Sequence, residues 1–302
     1  MSKNLQRAFL VLFVLVDIVL IGGAIRHVNA TPPESDMPEA SAASASPSSS
    51  PSAQVSGAQS DQVEYRFRAS SAVALSAAND GTVIYGSRGR CSAGDEAKVT
   101  VSTNKGADFS TSKTGLSTTL AVKATNTDFL AVVGTDKDCK PLQVASVDGG
   151  KVWRKSKSIE LWYPAPDNAQ DVVSPEGTST PGKDCDVLSV GQVTKQSARV
   201  SCADGTFRGT GDGGKTWVEL GRLDNVRASS FSSPSKGYAL ARYNGCGANA
   251  FSTVDGGASW TPGGCISGDP AQAIAATANA VTAVVADDPY VSTDGGETWM
   301  QP

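Results

Sequence analysis

Residues 292–299 read Ser-Thr-Asp-Gly-Gly-Glu-Thr-Trp, and this stretch decides the fold because it recurs along the chain. The related stretches are SVDGGKVW at 146–153, TGDGGKTW at 210–217, TVDGGASW at 253–260 and the more divergent STNKGADF at 102–109. Their shared pattern is Ser/Thr-x-Asp-x-Gly-x-x-Trp. Self-similarity of this kind indicates a fold built from repeated units.

Each position of the pattern suits a tight turn between two strands. Asp-Gly favours a hairpin because Gly adopts positive φ without steric cost, and the Asp carboxylate can accept N–H bonds from its own turn. The aromatic residue falls at the start of the next strand, where it can bury a large apolar face. We therefore predict latching acids at Asp148, Asp212, Asp255 and Asp294, and wedges between sheets at Trp153, Trp217, Trp260 and Trp299. Asn104 and Phe109 take these roles in the first copy; the alternative is that the acids are catalytic or bind metal.

The pattern resembles the Asp-box, or BNR repeat, of the sialidase-like β-propellers. The resemblance covers residues 63–302, and short exported non-catalytic propellers, such as the photosystem II stability/assembly factor-like proteins, are the most similar in character. It implies an all-β propeller of four-stranded blades. It also implies that the box turns lie at the periphery, away from the ligand face.

The spacing of the boxes predicts the number of blades. The acidic position recurs after 44, 64, 43 and 39 residues, and a period near forty is typical of one propeller blade per repeat. We favour five blades, with six as the alternative, and interpret the long interval after Trp153 as an inserted loop because it is rich in Pro, Gly and Ser. The alternating segment Val63–Arg68 is predicted to complete the last blade and close the ring.

Two segments before the propeller predict its location. Residues 1–30 contain an apolar run from Ala8 to Ile25, about 27 Å long at ~1.5 Å per residue, which predicts a single-pass signal-anchor with a cytoplasmic N-terminus. Cleavage after Ala30, giving a secreted protein, is the alternative. Residues 31–62 are rich in Ser, Ala and Pro and predict a disordered linker. In both cases the propeller lies outside the cytoplasm.

The cysteine content agrees with export. Six cysteines lie in the propeller region, namely Cys91, Cys139, Cys185, Cys202, Cys246 and Cys265. An even number in an exported domain predicts disulfides, although spacing alone permits fifteen connectivities. The repeat pattern places Cys185 beside Cys202 on adjacent strands, Cys246 and Cys265 near one end of a blade, and Cys91 and Cys139 in equivalent hairpins of neighbouring blades.

Residues for most kinds of catalysis are missing from the propeller region. The single histidine, His27, lies beside the apolar segment, and the sequence contains no nucleophile, phosphate-loop or dinucleotide motif. We therefore expect no catalytic residue, metal or cofactor. The net charge of −4 argues against nucleic-acid binding. Sialidases need three arginines around the substrate carboxylate, and Phe67-Arg68 matches only half of their N-terminal motif.

Two segments are candidate contact surfaces. Trp162 and Tyr163 open the long interval and are the candidate partner-binding residues, because aromatic residues on irregular loops are typical of interaction sites. The alternative is that they pack under their own loop or against the blade that follows. Arg88-Gly89-Arg90 is a second candidate, for which a solvated turn is the favoured interpretation. The sequence thus favours a membrane-tethered, non-catalytic module that binds a protein partner at the cell envelope. The alternative is a carbohydrate-binding or sialidase-like propeller, for which a glycan would be the partner.

Overall fold

The chain folds as a ring of six antiparallel sheets. The computed structural model describes residues 73–88, 91 and 96–302. The first strand of each sheet contacts the first strand of the next sheet. The first strand of the last sheet contacts the first strand of the first sheet, which closes the ring. This arrangement is a six-bladed all-β propeller. No helix among the described residues is long and apolar enough to cross a membrane; the predicted span Ala8–Ile25 and the predicted strand Val63–Arg68 lie outside them.

The first two blades each have four strands, in sequence order from the inside to the outside of the ring. Blade 1 consists of β1 Val73–Ala77, β2 Val83–Ser87, β3 Lys98–Ser102 and β4 Ser110–Lys113. Blade 2 consists of β5 Thr118–Asn126, β6 Phe129–Thr135, β7 Pro141–Ser146 and β8 Arg154–Lys155. The middle strand β6 is almost wholly buried because neighbouring sheets cover both of its faces, which explains its continuous apolar run.

Blade 3 corrects the favoured count of five blades to six. Its three short strands occupy the long interval that we interpreted as an inserted loop: β9 Tyr163–Pro164, β10 Val172–Ser174 and β11 Gly177–Ser179. The interpretation as a loop was wrong because the blade has no box and its strands span only two or three residues. Such short strands carry almost no periodic signal among so many Pro, Gly and Ser residues.

The last three blades have the same inside-to-outside strand order as the first two. Blade 4 consists of β12 Val187–Gln192, β13 Ala198–Cys202, β14 Thr206–Thr210 and β15 Val218–Arg222. Blade 5 consists of β16 Val226–Phe231, β17 Gly237–Tyr243, β18 Cys246–Thr253 and β19 Thr261–Ile266. Blade 6 consists of β20 Ala271–Ala276, β21 Val281–Val285 and β22 Asp288–Ser292. In place of a fourth strand, the described residues of this blade form a single β-bridge between Val291 and Met300.

The core is divided into clusters that lie between adjacent sheets. Val99 of blade 1 packs in one cluster with Val132 of blade 2, and Phe207 of blade 4 packs with Phe231 of blade 5. The ring closes through a cluster that joins Val73 of blade 1 to residues of blade 6. Burial of apolar area is therefore shared between neighbours rather than contained within any one blade.

The strand directions give the propeller two distinct faces. We call the face where the innermost strands begin the N-face and the face where they end the C-face. Because alternate strands are antiparallel, hairpins between second and third strands lie on the N-face. Hairpins between third and fourth strands, which carry all five boxes, lie on the C-face.

The structure contains three disulfides, as predicted. Cys91 pairs with Cys139, Cys185 with Cys202, and Cys246 with Cys265, and no free cysteine remains. The first joins blades 1 and 2, whereas the others lie within blades 4 and 5. All six cysteines lie at strand ends or hairpins of the N-face.

Each box forms the same hydrogen-bonded turn. In the third box the Thr210 hydroxyl donates to Asp212 Oδ1 at 2.8 Å and accepts from the Gly214 N–H at 3.1 Å. The same carboxylate oxygen accepts from the Thr216 N–H at 3.0 Å. Gly213 and Gly214 both have positive φ, at 79° and 93°, a conformation that explains the paired glycines.

The divergent first box keeps this network. The Asn104 side-chain oxygen accepts from the Ser102 hydroxyl and from the Asp108 N–H, both at 2.9 Å. Lys105 occupies the first left-handed position with a φ of 62°. An amide oxygen therefore replaces the carboxylate as acceptor, without its charge.

The tryptophan of each of the other four boxes packs between its blade and the preceding one. The Trp153 indole N–H donates to Ser112 on the outer strand of blade 1 at 2.9 Å, and that of Trp217 donates to Ser179 on the outer strand of blade 3 at 3.3 Å. Trp260 lies among Phe207 and Phe231 between blades 4 and 5. The boxes thus set the spacing of neighbouring sheets.

Hydrogen bonds within the turns lower the pKa values of the box acids. The Thr216 hydroxyl is the main cause for Asp212, whose pKa falls to about 2. The Ser259 and Thr298 hydroxyls hold the pKa values of Asp255 and Asp294 well below the ordinary range. Bonds to the charged form favour ionisation, so the folded protein binds fewer protons here than the unfolded chain.

We expect the stability conferred by these acids to be complete above about pH 4 and to disappear as the pH falls through the folded pKa values. Thermal unfolding between pH 7 and pH 2 should show a steep drop in Tm below pH 4. The variant Asp212→Asn should lower Tm at pH 7 and flatten the acid drop, whereas the exposed control Asp167→Asn should change neither. An unchanged pH profile in Asp212→Asn would contradict the latching role.

Candidate functional site

The innermost strands enclose a cavity of about 570 Å³ around the axis of the ring, which we also call the central channel. Residues of β1, β5, β12, β16 and β20 line it, together with Leu161 and Trp162 just before β9. Most lining side chains are small, such as Ala74, Ala121 and Ala275, because only small groups fit where six strands converge. The volume falls in the range of about 300–1,000 Å³ that is common for ligand sites.

Arg88 crosses the ring at the N-face end of this cavity. It follows β2 of blade 1, yet its guanidinium Nη1 donates to the Leu188 carbonyl of blade 4 at 3.0 Å. Blade 4 is three blades away in either direction, so the side chain must traverse the axis. Its Nε is buried and has no hydrogen-bond partner among the described residues. Burial lowers the pKa of Arg88 to about 10, so the side chain is still a cation at pH 7.

The cavity has a positive electrostatic character. Its charged lining residues are Arg88, Lys123 and Lys236, with no Asp or Glu among the described lining residues. Lys123 is exposed to the channel, yet the surrounding walls lower its pKa by desolvation. Lys236 lies in the turn after β16, at the C-face end. The arrangement can attract and hold an anion, and it provides no paired carboxylates for glycoside hydrolysis.

Trp162 and Tyr163 are interior residues and do not form the exposed contact surface that the sequence suggested. They are only 2% and 3% exposed. The Trp162 indole N–H donates to the Lys195 carbonyl at 3.0 Å, and its ring packs edge-on against Trp217. Tyr163 belongs to β9 and Trp162 directly precedes it, so residues of the neighbouring sheets cover both side chains.

The arginines of blades 4 and 5, which a sialidase-like site would need in the centre of the ring, lie away from the cavity. Arg199 donates to Pro234 in the turn of the next blade, and Arg242 pairs with Asp269. Neither these two nor Arg208 and Arg227 line the cavity. The box acids also lie apart from it, on outer hairpins of the C-face.

The sequence did not reveal the two central cations of the site. A solvated turn was one interpretation of Arg88, but its side chain is bound across the axis; its neighbours Gly89 and Arg90 lie outside the described residues. Lys123 interrupts the apolar strand β5, and a lone Lys among inward-facing residues of an innermost strand is the signal that could have identified it.

Comparisons with known proteins find distant likenesses among solved structures only. No protein-family model matches the chain. No curated protein matches it either. Among solved structures, YCF48 bound to D1 peptide is 22% identical over 39% of this chain and 41% of that chain, with a TM-score of 0.33. YCF48 from Cyanidioschyzon merolae is 15% identical over 77% and 85%, with a TM-score of 0.31. A fucose-binding lectin from Aleuria aurantia is 11% identical over 77% and 94%, with a TM-score of 0.49.

Fold and site together define the class of this protein. It is a six-bladed β-propeller whose central channel is crossed by one arginine and carries further cations. The match to the D1-peptide complex spans less than half of that chain, and none of these likenesses transfers an activity.

We expect Trp162→Ala to destabilise the protein by about 3–5 kcal/mol, because it empties a buried aromatic site between blades 3 and 4. Urea unfolding of the full chain measures this directly. Val218→Ala, at a position 59% exposed on the outer strand of blade 4, serves as the control and should change stability by less than about 0.5 kcal/mol. Equal effects of the two substitutions would contradict the interior position of Trp162.

Proposed function

We propose that this protein is a non-catalytic binding module that engages a protein partner through the central channel outside the cytoplasm. The observation that carries the proposal is the composition of the channel lining. Among the described lining residues all charged groups are cations, without the carboxylate pair that glycoside hydrolysis requires. Among the described residues, no group of His, Cys, Asp and Glu side chains is arranged to hold a metal ion.

The channel favours a protein partner over a glycan. Sugar sites commonly present exposed aromatic faces, whereas the aromatic residues of the lining, Trp162 and Phe231, are only 2% and 4% exposed. The rigid six-sheet ring around the cavity also suits a module that binds without rearranging, since a preformed site loses little entropy on association.

A photocrosslinking amino acid locates the partner. Placed at Ser232, an exposed residue of the lining on the C-face, it should yield a protein adduct in the cells that make this protein. Placed at Val218 on an outer strand, it should yield none. Equal adducts at both positions, or an adduct that contains only glycan, would contradict a protein-binding channel.

We further propose that residues 1–30 tether the propeller to the membrane through the linker 31–62. The apolar run Ala8–Ile25 supports a single span. Three disulfides without a free cysteine support an oxidising compartment. A cell-surface or envelope location follows from both.

The tether predicts how the protein fractionates. After alkaline extraction of membranes, the full chain should remain in the pellet and keep its own N-terminus. Deletion of residues 8–25 should leave the propeller unanchored. Recovery of a soluble form that begins at Thr31 would instead establish signal cleavage and secretion.

A further inference from the structure

We infer that the channel recognises a carboxylate of a peptide ligand, with Arg88 and Lys123 as the receptor groups. This inference rests on the proposed protein-binding function and specifies the chemistry that the partner presents. It follows from the position of Arg88, the surroundings of Lys123 and the lack of any Asp or Glu among the described lining residues, whose third cation is Lys236.

Arg88 has unused donor capacity at the end of a cavity. A guanidinium carries five N–H donors, and the hydrogen bond that this group forms among the described residues is to the Leu188 carbonyl. Its Nε has no partner among the described residues. A carboxylate is the ligand that a guanidinium binds best, because both groups are planar and can form two parallel bonds.

Lys123 supplies a second charge on the wall of the same cavity. It lies on the innermost strand β5 and forms no ion pair within the described part of the chain, although other exposed lysines do, such as Lys113 with Glu96. The desolvation that lowers its pKa also weakens the competition of water for its ammonium group. An anion that enters the channel therefore meets a cation on the wall before it meets Arg88 at the end.

Small side chains make up much of the remaining wall. Alanine, serine and threonine are frequent in the lining, so few large side chains obstruct the approach to the cations. A peptide that presents a carboxylate therefore meets little steric obstruction. Two sources of carboxylate share the required chemistry, namely an Asp or Glu side chain and the free carboxyl terminus of a protein.

Four acetylated pentapeptides test the inference by isothermal titration calorimetry on the detergent-solubilised full chain. Two are alanine peptides with an amidated carboxyl terminus and either Glu or Gln at the central position. The other two are pentaalanine with either a free or an amidated carboxyl terminus. We expect at least tenfold tighter binding of the Glu peptide than the Gln peptide, or of the free-acid peptide than its amide. The pair that responds identifies the source of the carboxylate.

Variants assign the effect to the channel. Arg88→Met and Lys123→Met should each reduce the preference for carboxylate at least tenfold. Lys155→Met makes the same change of charge on β8, the exposed outer strand of the blade that contains Lys123. This control should leave the preference for carboxylate intact. Thermal unfolding shows whether Arg88→Met folds. If it does not fold, the carboxylate preference of the Lys123→Met variant alone tests the inference.

Three results would overturn the inference. The first is equal binding, or no binding, of acid and amide peptides at millimolar concentration. The second is a carboxylate preference that survives in Lys123→Met. The third is tighter binding of glucuronic acid or N-acetylneuraminic acid than of any peptide. If Ser232 crosslinks a protein while the peptides fail, only the carboxylate specificity falls; if the peptides bind and no protein is captured, the proposed function fails instead.

Discussion

Burial between neighbouring sheets is the constraint on which this structure depends. A blade has two apolar faces and can cover neither by itself, so each sheet requires a neighbour on both sides. Only a closed ring provides this for every blade. The pairing of Val73 with the apolar residues of the last blade is therefore as essential as any contact within a sheet.

The box turns make this packing repeatable. Hydroxyl, carboxylate and paired glycines fix the hairpin, and the hairpin directs an aromatic side chain towards the preceding blade. Blade 3 shows that the turn is helpful but not required, since it has no box and is held instead by Trp162, Tyr163 and Val172. Its position in the ring is specified by its neighbours more than by its own strands.

The sequence was sufficient for the fold class and for the presence of disulfides, because repeated boxes and an even number of cysteines are signals that can be read locally. It only narrowed the cysteine pairing, since Cys91 and Cys139 lie in different blades. Blade 3 was missed because strands as short as Tyr163–Pro164 leave no period to detect. The channel was missed because its key contact joins Arg88 to Leu188, one hundred positions away, and no local pattern encodes which carbonyl lies across the axis. Trp162 was misassigned because an aromatic residue in a Pro- and Gly-rich segment resembles a loop anchor until its neighbouring sheet is known.

The separation of disulfides and box turns between the two faces makes the propeller mechanically asymmetric. The disulfide between blades 1 and 2 and the transverse Arg88 brace the rim of the N-face, while the rim of the C-face is held by hydrogen bonds that can break and re-form. A load applied along the axis therefore meets a stiff end and a compliant end. Any widening of the ring is confined to the compliant rim, where the channel is open, and the braced rim acts as the fixed frame against which it moves.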